Sequence, residues 1–84
     1  MIEVHLYGRL RRLAPQSGVH RPSIAWVDLP EGTVAQALAA LGIERAAVGN
    51  IFVNGRYDAQ PWDRTVRSGD RLGVFPTDMR MLYV

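Results

Sequence analysis

The chain has 84 residues, no cysteine and a formal net charge of +2, with 48% hydrophobic and 21% charged residues. This composition fits one ordinary globular domain and excludes a disordered chain, a disulfide framework and a thiolate metal site. No apolar run approaches the about 20 residues of a membrane-spanning helix, and the N-terminus lacks a secretory signal, so we expect a cytoplasmic location.

The basic residues are unusual because all ten are arginine. Only Arg9, Arg11 and Arg12 form a dense cluster, in a predicted loop or short turn. Arginines on a protein surface are commonly solvated, but a cluster also favours an anionic partner. We therefore take these three residues as candidate anion-binding residues.

The first predicted element is a half-buried strand over residues 2–7. Apolar and polar side chains alternate along it, and Gly8 ends it. Residues 14–23 contain two prolines and a glycine and are predicted to be a turn-rich connection. Residues 24–29 are predicted to form a second strand, which a turn at residues 30–32 closes.

The strongest helix signal begins at Thr33. Its hydroxyl and the Gln36 side chain have the spacing of a capping box. An apolar stripe follows, and Gly42 supplies a residue suited to the left-handed conformation that ends many helices. The sequence therefore predicts a short helix with two well-defined ends.

Three further features complete the chain. Residues 48–53 form an apolar run that ends at Asn54 and Gly55, a dipeptide typical of tight hairpin turns. Residues 56–67 are predicted to be irregular, with at most a short strand or turn, since Pro61 disfavours a central strand there. After a turn at residues 68–70, residues 72–75 are predicted to form the last strand, which Pro76 ends.

This order of elements predicts an α+β protein. Two early strands can form a hairpin, the helix can cross one face of the sheet, and the last strand can pair with the first in parallel. We predict a ubiquitin-like β-grasp fold, with a mixed sheet of four to five strands packed on one main helix. The predicted domain spans residues 1–76, and residues 77–84 form an apolar C-terminal tail.

The polar residues do not predict catalysis. His5 and His20 are isolated, too few for a metal site, and Ser23, His20 and Asp28 lack the strained turn of a nucleophile. The glycines do not form a phosphate-binding loop. We therefore expect neither an enzyme nor a bound metal or cofactor.

The predicted elements carry a family resemblance. In type and order, sixteen residues along the chain resemble the small sulfur-carrier proteins of the MoaD/ThiS family: Leu29, Gly32, Thr33, Val34, Leu38, Leu41, Phe52, Val53, Asn54, Gly55, Gly69, Asp70, Leu72, Val74, Phe75 and Pro76. The resemblance implies a β-grasp fold. It also implies a C-terminal Gly-Gly, whose last residue an activating enzyme converts to a thiocarboxylate that donates sulfur.

The C-terminal residues depart from this pattern. The chain has no two adjacent glycines, and its last six residues are Met79, Arg80, Met81, Leu82, Tyr83 and Val84. Because bulky side chains do not fit a channel shaped for bare backbone, we expect no sulfur transfer from this terminus. Met79, Met81 and Tyr83 alternate with Arg80, Leu82 and Val84, a pattern that suits a sheet edge or a partner groove, so these six residues are candidate partner-binding residues. The alternatives are that the tail folds back over its own domain and covers apolar surface, or that it is disordered.

The function expected from these observations is a noncatalytic, MoaD/ThiS-like accessory factor in molybdenum or tungsten cofactor biosynthesis or in sulfur metabolism. Its partner would be an activating-type enzyme, a cofactor-biosynthesis protein or a second copy of the chain in a homodimer. One alternative is a sulfur carrier for molybdopterin or thiamine biosynthesis with an atypical C-terminus. Another is a TGS-like RNA-binding module, which scattered charge and sparse aromatic residues disfavour.

Overall fold

The computed structural model describes residues 1–13 and 23–77. These residues form one α-helix, α1, and seven strands: β1 (Ile2–Leu6), β2 (Ser23–Val27), β3 (Glu31–Thr33), α1 (Val34–Ala40), β4 (Val48–Val53), β5 (Arg56–Asp58), β6 (Thr65–Arg67) and β7 (Arg71–Pro76). Two 3-10 helices, Gly8–Leu13 and Arg45–Ala47, lie between them. The six residues 79–84 predicted to bind a partner lie outside the described residues.

Five strands form a mixed sheet in the order β2-β1-β7-β4-β5. The central strands β1 and β7 run parallel, and the other neighbouring pairs are antiparallel. Strands β3 and β6 form a separate two-stranded antiparallel sheet. The predicted α+β, ubiquitin-like β-grasp arrangement, with four to five strands packed on one main helix, is confirmed.

One face of the five-stranded sheet and the apolar stripe of α1 form the core. Because successive strand residues point to opposite faces, every second residue of β1 and β7 lies on the helix side. The buried side chains of these three elements belong to one cluster: Ile2, Val4, Leu6, Leu72, Val74, Val34, Ala37 and Leu38. The opposite face of the sheet is therefore left without a helix from the described part of the chain.

The ends of α1 follow the sequence prediction. The Thr33 hydroxyl accepts a hydrogen bond from the Gln36 backbone at 3.1 Å, and the Thr33 backbone donates to the Gln36 side chain at 2.8 Å. At the C-terminus, Gly42 has a positive φ of 75°. The Ile43 backbone donates to the Leu38 carbonyl at 3.0 Å and folds back over the last turn, so the predicted end of the helix near Gly42 is confirmed.

The predicted hairpin turn at Asn54 and Gly55 is also confirmed. Both residues have positive φ, 50° and 83°, as the turn requires. The Asn54 side chain accepts a hydrogen bond from the Arg71 backbone at 2.9 Å and donates to Asp70 at 3.2 Å. These two bonds hold the β4–β5 turn against the start of β7.

The predictions for residues 56–67 and 30–32 were wrong in part. The supposedly irregular segment contains β5 and β6, and the predicted turn contains most of β3. The Asn54-Gly55 turn brings β5 back against β4, and β6 pairs with β3 across more than thirty residues of chain. β5 and β6 have only three residues each. Their stability therefore depends on the strands they pair with, which a local sequence pattern does not reveal.

The prediction for the segment after β1 and the predicted end of the second strand also need correction. The segment after β1 is a 3-10 helix rather than a loop, because Gly8 turns the chain with a φ of 57° and the Leu10 side chain is buried in the core. The second strand ends at Val27 rather than at residue 29, since the Leu29 backbone donates to the Val27 carbonyl at 2.9 Å and closes a turn.

Candidate functional site

On the sheet face that α1 does not cover, four aromatic side chains form a connected group, and Trp26 lies apart from them on β2. Tyr7 follows β1, Phe75 lies on β7, Phe52 on β4 and Tyr57 on β5, so each side chain comes from a different part of the sheet. We call these four residues the aromatic row. None of the described elements packs over it, and Tyr7 and Tyr57 are 39% and 58% exposed.

The rings of the aromatic row contact one another in sequence. Tyr7 and Phe75 are stacked, with ring centroids 4.3 Å apart and nearly parallel planes. Phe52 contacts Phe75 edge-on at 5.6 Å and Tyr57 edge-on at 5.7 Å. Aromatic pairs at these separations hold each other in place, so the row is a continuous, preformed apolar surface.

The pairing register explains why these rings meet. Phe52 is directly opposite Tyr57 in the β4–β5 ladder and directly opposite Gly73 in the β4–β7 ladder. On the other side of β7, His5 is opposite Gly73. Tyr7 and Phe75 lie two residues further along these parallel strands, which places their rings side by side.

A gap interrupts this face at Gly73. A depression of about 300 Å³ lies over it, lined by His5, Tyr7, Arg71, Leu72 and Gly73. A Cβ atom at Gly73 would lie 3.6 Å from the Phe52 Cβ and 3.7 Å from the Tyr7 Cε2, which are ordinary contacts. Neither packing nor a left-handed φ requires glycine at this position.

Of the two charged side chains beside the gap, one has a bonding partner and the other has none among the described residues. Glu3 is in register with Arg71, but its carboxylate is bonded to the His5 imidazole Nε2. Among the described residues, the Arg71 guanidinium has neither an ion pair nor a side-chain hydrogen bond. The gap therefore has the Tyr7 ring and the His5 imidazole beside it and one available cation, Arg71, at its end.

The arginines predicted to bind an anion are not all on one surface. Arg9 and Arg12 line a depression of about 250 Å³ together with Glu44, whereas Arg11 is not among its lining residues. The Glu44 carboxylate opposes an anion at this position. Anion binding by Arg9, Arg11 and Arg12 remains a prediction.

A wider depression of about 590 Å³ lies along β5, lined by Val53, Asn54, Arg56, Tyr57, Asp58, Ala59 and Arg64. Asp58 accepts hydrogen bonds from the Arg64 side chain and from the Gln60 backbone. These contacts lower the pKa of Asp58, the Arg64 hydrogen bond being the largest cause. The carboxylate is therefore held charged and fully bonded, which suits a structural role rather than acid–base chemistry.

The other residues considered from the sequence include the two histidines and the two tryptophans. Within the part of the chain that the structure describes, no three His, Cys, Asp or Glu side chains converge as metal ligands, and no helix is a candidate membrane span. Trp62 packs against the core with Arg45 4.4 Å above its ring, whereas Trp26 is exposed on β2. His20 lies outside the described residues.

The aromatic row was missed by sequence reasoning. Alternation already places Tyr7 and Phe75 on the polar side of their strands, which was the available signal. The row becomes visible only when the sheet order brings β1, β7, β4 and β5 side by side.

Comparison with known proteins agrees with this architecture. The model of a family described as Mut7-C ubiquitin matches residues 1–81. The solution structure of the Haloferax volcanii HVO 2177 protein is similar, with a TM-score of 0.61 and 23% sequence identity over 90% of this chain and 81% of that chain. No curated protein matches the sequence.

At this identity, the solved structure supports the fold alone. The family match covers nearly the whole chain, and the observed sheet and helix agree with the ubiquitin-like description that it carries. The chain therefore belongs to the Mut7-C ubiquitin family, and its fold fits the MoaD/ThiS-like β-grasp type that the sequence resembles.

Proposed function

We propose that the chain is a noncatalytic protein-interaction module that binds a partner protein through the aromatic row. The observation that supports this most strongly is the row itself, with four rings in mutual contact on a sheet face that no described element covers. Tyrosine and phenylalanine are enriched in protein interfaces because they bury a large area at a small cost in side-chain entropy. Preformed ring contacts reduce that cost further.

The pathway in this proposal comes from the MoaD/ThiS resemblance. It supports an accessory role in molybdenum or tungsten cofactor biosynthesis or in sulfur metabolism. The partner would then be an activating-type enzyme, a cofactor-biosynthesis protein or a second copy of the chain. Intact mass measurement of protein purified from its own cells tests the rival sulfur-carrier function, which predicts a thiocarboxylated C-terminus.

Nucleic acid is the less favoured ligand for this surface. Single-stranded nucleic acid binds by stacking its bases on open aromatic faces. Here Tyr7 and Phe75 are stacked on each other at 4.3 Å, and Phe75 meets the edge of Phe52, so these faces are already in contact. The exposed ring edges and hydroxyl groups are better suited to a protein surface.

The test compares partner binding by the wild-type chain and the double variant Tyr7→Ser, Tyr57→Ser. Proteins retained by the wild type are identified, purified and titrated with both chains by calorimetry. We expect the double variant to lose affinity at least about tenfold, since tyrosines are among the residues whose truncation costs most in protein interfaces. Arg56→Ser is the matched control, because Arg56 alternates with Tyr57 and projects from the opposite face.

The proposal fails if purified partners bind the double variant and the wild type with equal affinity. Circular dichroism spectra must first show that both variants are folded. Both tyrosines are partly exposed, and their truncation leaves the core intact.

The C-terminal residues 79–84 are proposed, on sequence grounds, as a second contact with the partner. Deleting them should weaken binding of the same purified partner and leave the contact with the aromatic row intact. Unchanged affinity after the deletion would remove this segment from the proposal.

A further inference from the structure

The glycine in the middle of β7 has no structural explanation. Its φ lies outside the left-handed region, and a Cβ atom would make contacts of 3.6 and 3.7 Å. Glycine weakens a strand interior and often marks a place where another chain approaches closely. Gly73 leaves open the depression of about 300 Å³ in which an ordinary strand residue would stand.

We propose that this gap is a subsite for one apolar side chain of the partner protein, and that Arg71 binds an Asp or Glu carboxylate on the same partner segment. This inference rests on the proposed function and names the chemistry of the partner. The subsite consists of Gly73 as its floor, the Tyr7 and His5 side chains beside it, and Arg71 at one end. The Phe52 Cβ lies within contact distance of the floor.

The apolar half of the subsite follows from its walls. Phe52 and His5 are the direct cross-strand neighbours of Gly73, and the Tyr7 ring lies 3.7 Å from where its Cβ would be. A side chain entering from outside would replace water over bare backbone and contact the Tyr7 ring on one side and the Phe52 Cβ on another. An aliphatic side chain gains most from such a site because it has no polar group to desolvate.

The acidic half follows from the local charges. Arg71 and Glu3 are neighbours across the parallel ladder, but Glu3 is bonded to His5. The guanidinium therefore keeps its donors for an incoming group, and a carboxylate can accept two of them at once. An acidic residue one or two positions from the apolar one would reach Arg71, since neighbouring positions along an extended chain are about 3.3 Å apart.

The experiment uses a displayed library of random twelve-residue peptides, selected on the full-length wild-type chain. We expect the selected peptides to share an apolar residue close to an Asp or Glu. The affinity of a selected synthetic peptide is then measured by calorimetry for the wild type and for four variants: Gly73→Val, Gly73→Ala, Arg71→Glu and Arg56→Glu.

Gly73→Val should lower the affinity at least about tenfold, because a β-branched side chain fills the gap, and Gly73→Ala should lower it less. Arg71→Glu should lower the peptide affinity at least about tenfold. When the selection is repeated on this variant, the selected peptides should carry Lys or Arg in place of the acidic residue. Arg56→Glu changes the same charge on the opposite face and should leave the affinity unchanged. If Gly73→Val does not fold, Gly73→Ala still tests the gap.

Three results would overturn the inference. Equal affinity of the wild type, Gly73→Val and Arg71→Glu, together with loss in Tyr7→Ser, Tyr57→Ser, would remove the subsite but leave the aromatic row as an interface. Selection of no peptide by the wild type would count against both proposals. Tight binding of an oligo-dT strand, lost in Arg71→Glu, would replace the protein partner by a nucleic acid.

Discussion

Asp58 and Arg64 show how one ion pair organises an irregular connection. The Asp58 carboxylate joins the end of β5 to Arg64 and to the Gln60 backbone. Both hydrogen bonds favour the charged form and lower the pKa of Asp58, the Arg64 bond contributing most. Because the segment between β5 and β6 has little regular structure, these bonds stand in for a strand ladder.

This pair predicts a specific effect of acid. A carboxyl group whose pKa is lowered in the folded state stabilises the fold above its ordinary pKa of 3.8, and this contribution is lost as the pH falls through the lower folded value. Asp58→Asn should therefore lose less stability than the wild type between about pH 5 and pH 2. Urea unfolding at several pH values measures the difference.

Arg64→Gln is the companion variant, since it removes the main cause of the lowered pKa. It should reduce the acid dependence in the same direction as Asp58→Asn. An acid dependence identical to that of the wild type in both variants would contradict the assignment.

Two glycines of the β6–β7 region differ in whether the backbone conformation requires glycine: it does at Gly69 and does not at Gly73. Gly69 has a φ of 98°, and no atom lies within 4 Å of the place where a Cβ would stand, so an alanine there would be strained but not crowded. Gly69→Ala should lower the free energy of unfolding by about 1–2 kcal/mol. Gly73→Ala, its matched control, should leave stability unchanged or raise it by about 0.5–1 kcal/mol.

Urea unfolding of the two variants checks this prediction. An equal loss in the free energy of unfolding in both variants would show that the fold needs glycine at position 73. The proposal of an open subsite would then lose its basis.

Among the elements, the helix depends on its cap more than on its length. Helix α1 has only seven residues, too few to be stable as an isolated helix. It is held by the buried side chains Val34, Ala37 and Leu38 and by the reciprocal capping bonds of Thr33 and Gln36. Two further backbone bonds join its first turn to the segment before β6, from Val34 to Arg64 and from Ala35 to Trp62.

Thr33→Ala should therefore lower the free energy of unfolding by about 1 kcal/mol, with a range of about 0.5–2. Chemical denaturation measures the change. Thr65→Ala is a suitable control because Thr65 is the exposed cross-strand partner of Thr33 and its side chain caps no helix in the described part of the chain. Equal losses in the two variants would point to strand pairing, not capping, as the role of Thr33.

The described residues share one apolar core. Fifteen buried residues form a single cluster within these ranges, and they come from both sheets, the helix, the 3-10 segment after β1 and Ile43 after the helix. The start of β1 is also joined to the turn before β7, since Gly69 donates to the Met1 carbonyl at 3.0 Å and Glu3 donates to the Asp70 carbonyl at 3.0 Å. The small β3–β6 sheet belongs to the same unit through Val66, which is fully buried.

We therefore predict one cooperative unfolding transition. In a Trp26→Phe variant, fluorescence reports Trp62, which packs against the core beside β6, and far-ultraviolet circular dichroism reports the main sheet. The two signals should change at the same urea concentration. An earlier fluorescence transition would mean that the β3–β6 region unfolds separately.

Much of the fold could be predicted from local signals. The alternation in β1, the capping box of α1 and the Asn54-Gly55 turn each specify a conformation through neighbouring residues, and all three are observed. For the short strands β3, β5 and β6 the sequence predicted only turns, irregular chain or at most one short strand, since each is stable only against a partner elsewhere in the chain. The aromatic row was missed for the same reason.

The sequence by itself determined the β-grasp fold, because the order of strands, helix and turns leaves few ways to bury the apolar residues. It also determined that no cysteine chemistry takes place. Only the tertiary structure decided which face stays uncovered, which rings meet there and that Gly73 opens a gap between them. These features depend on strand order and register, which arise from long-range pairing and cannot be read from neighbouring residues.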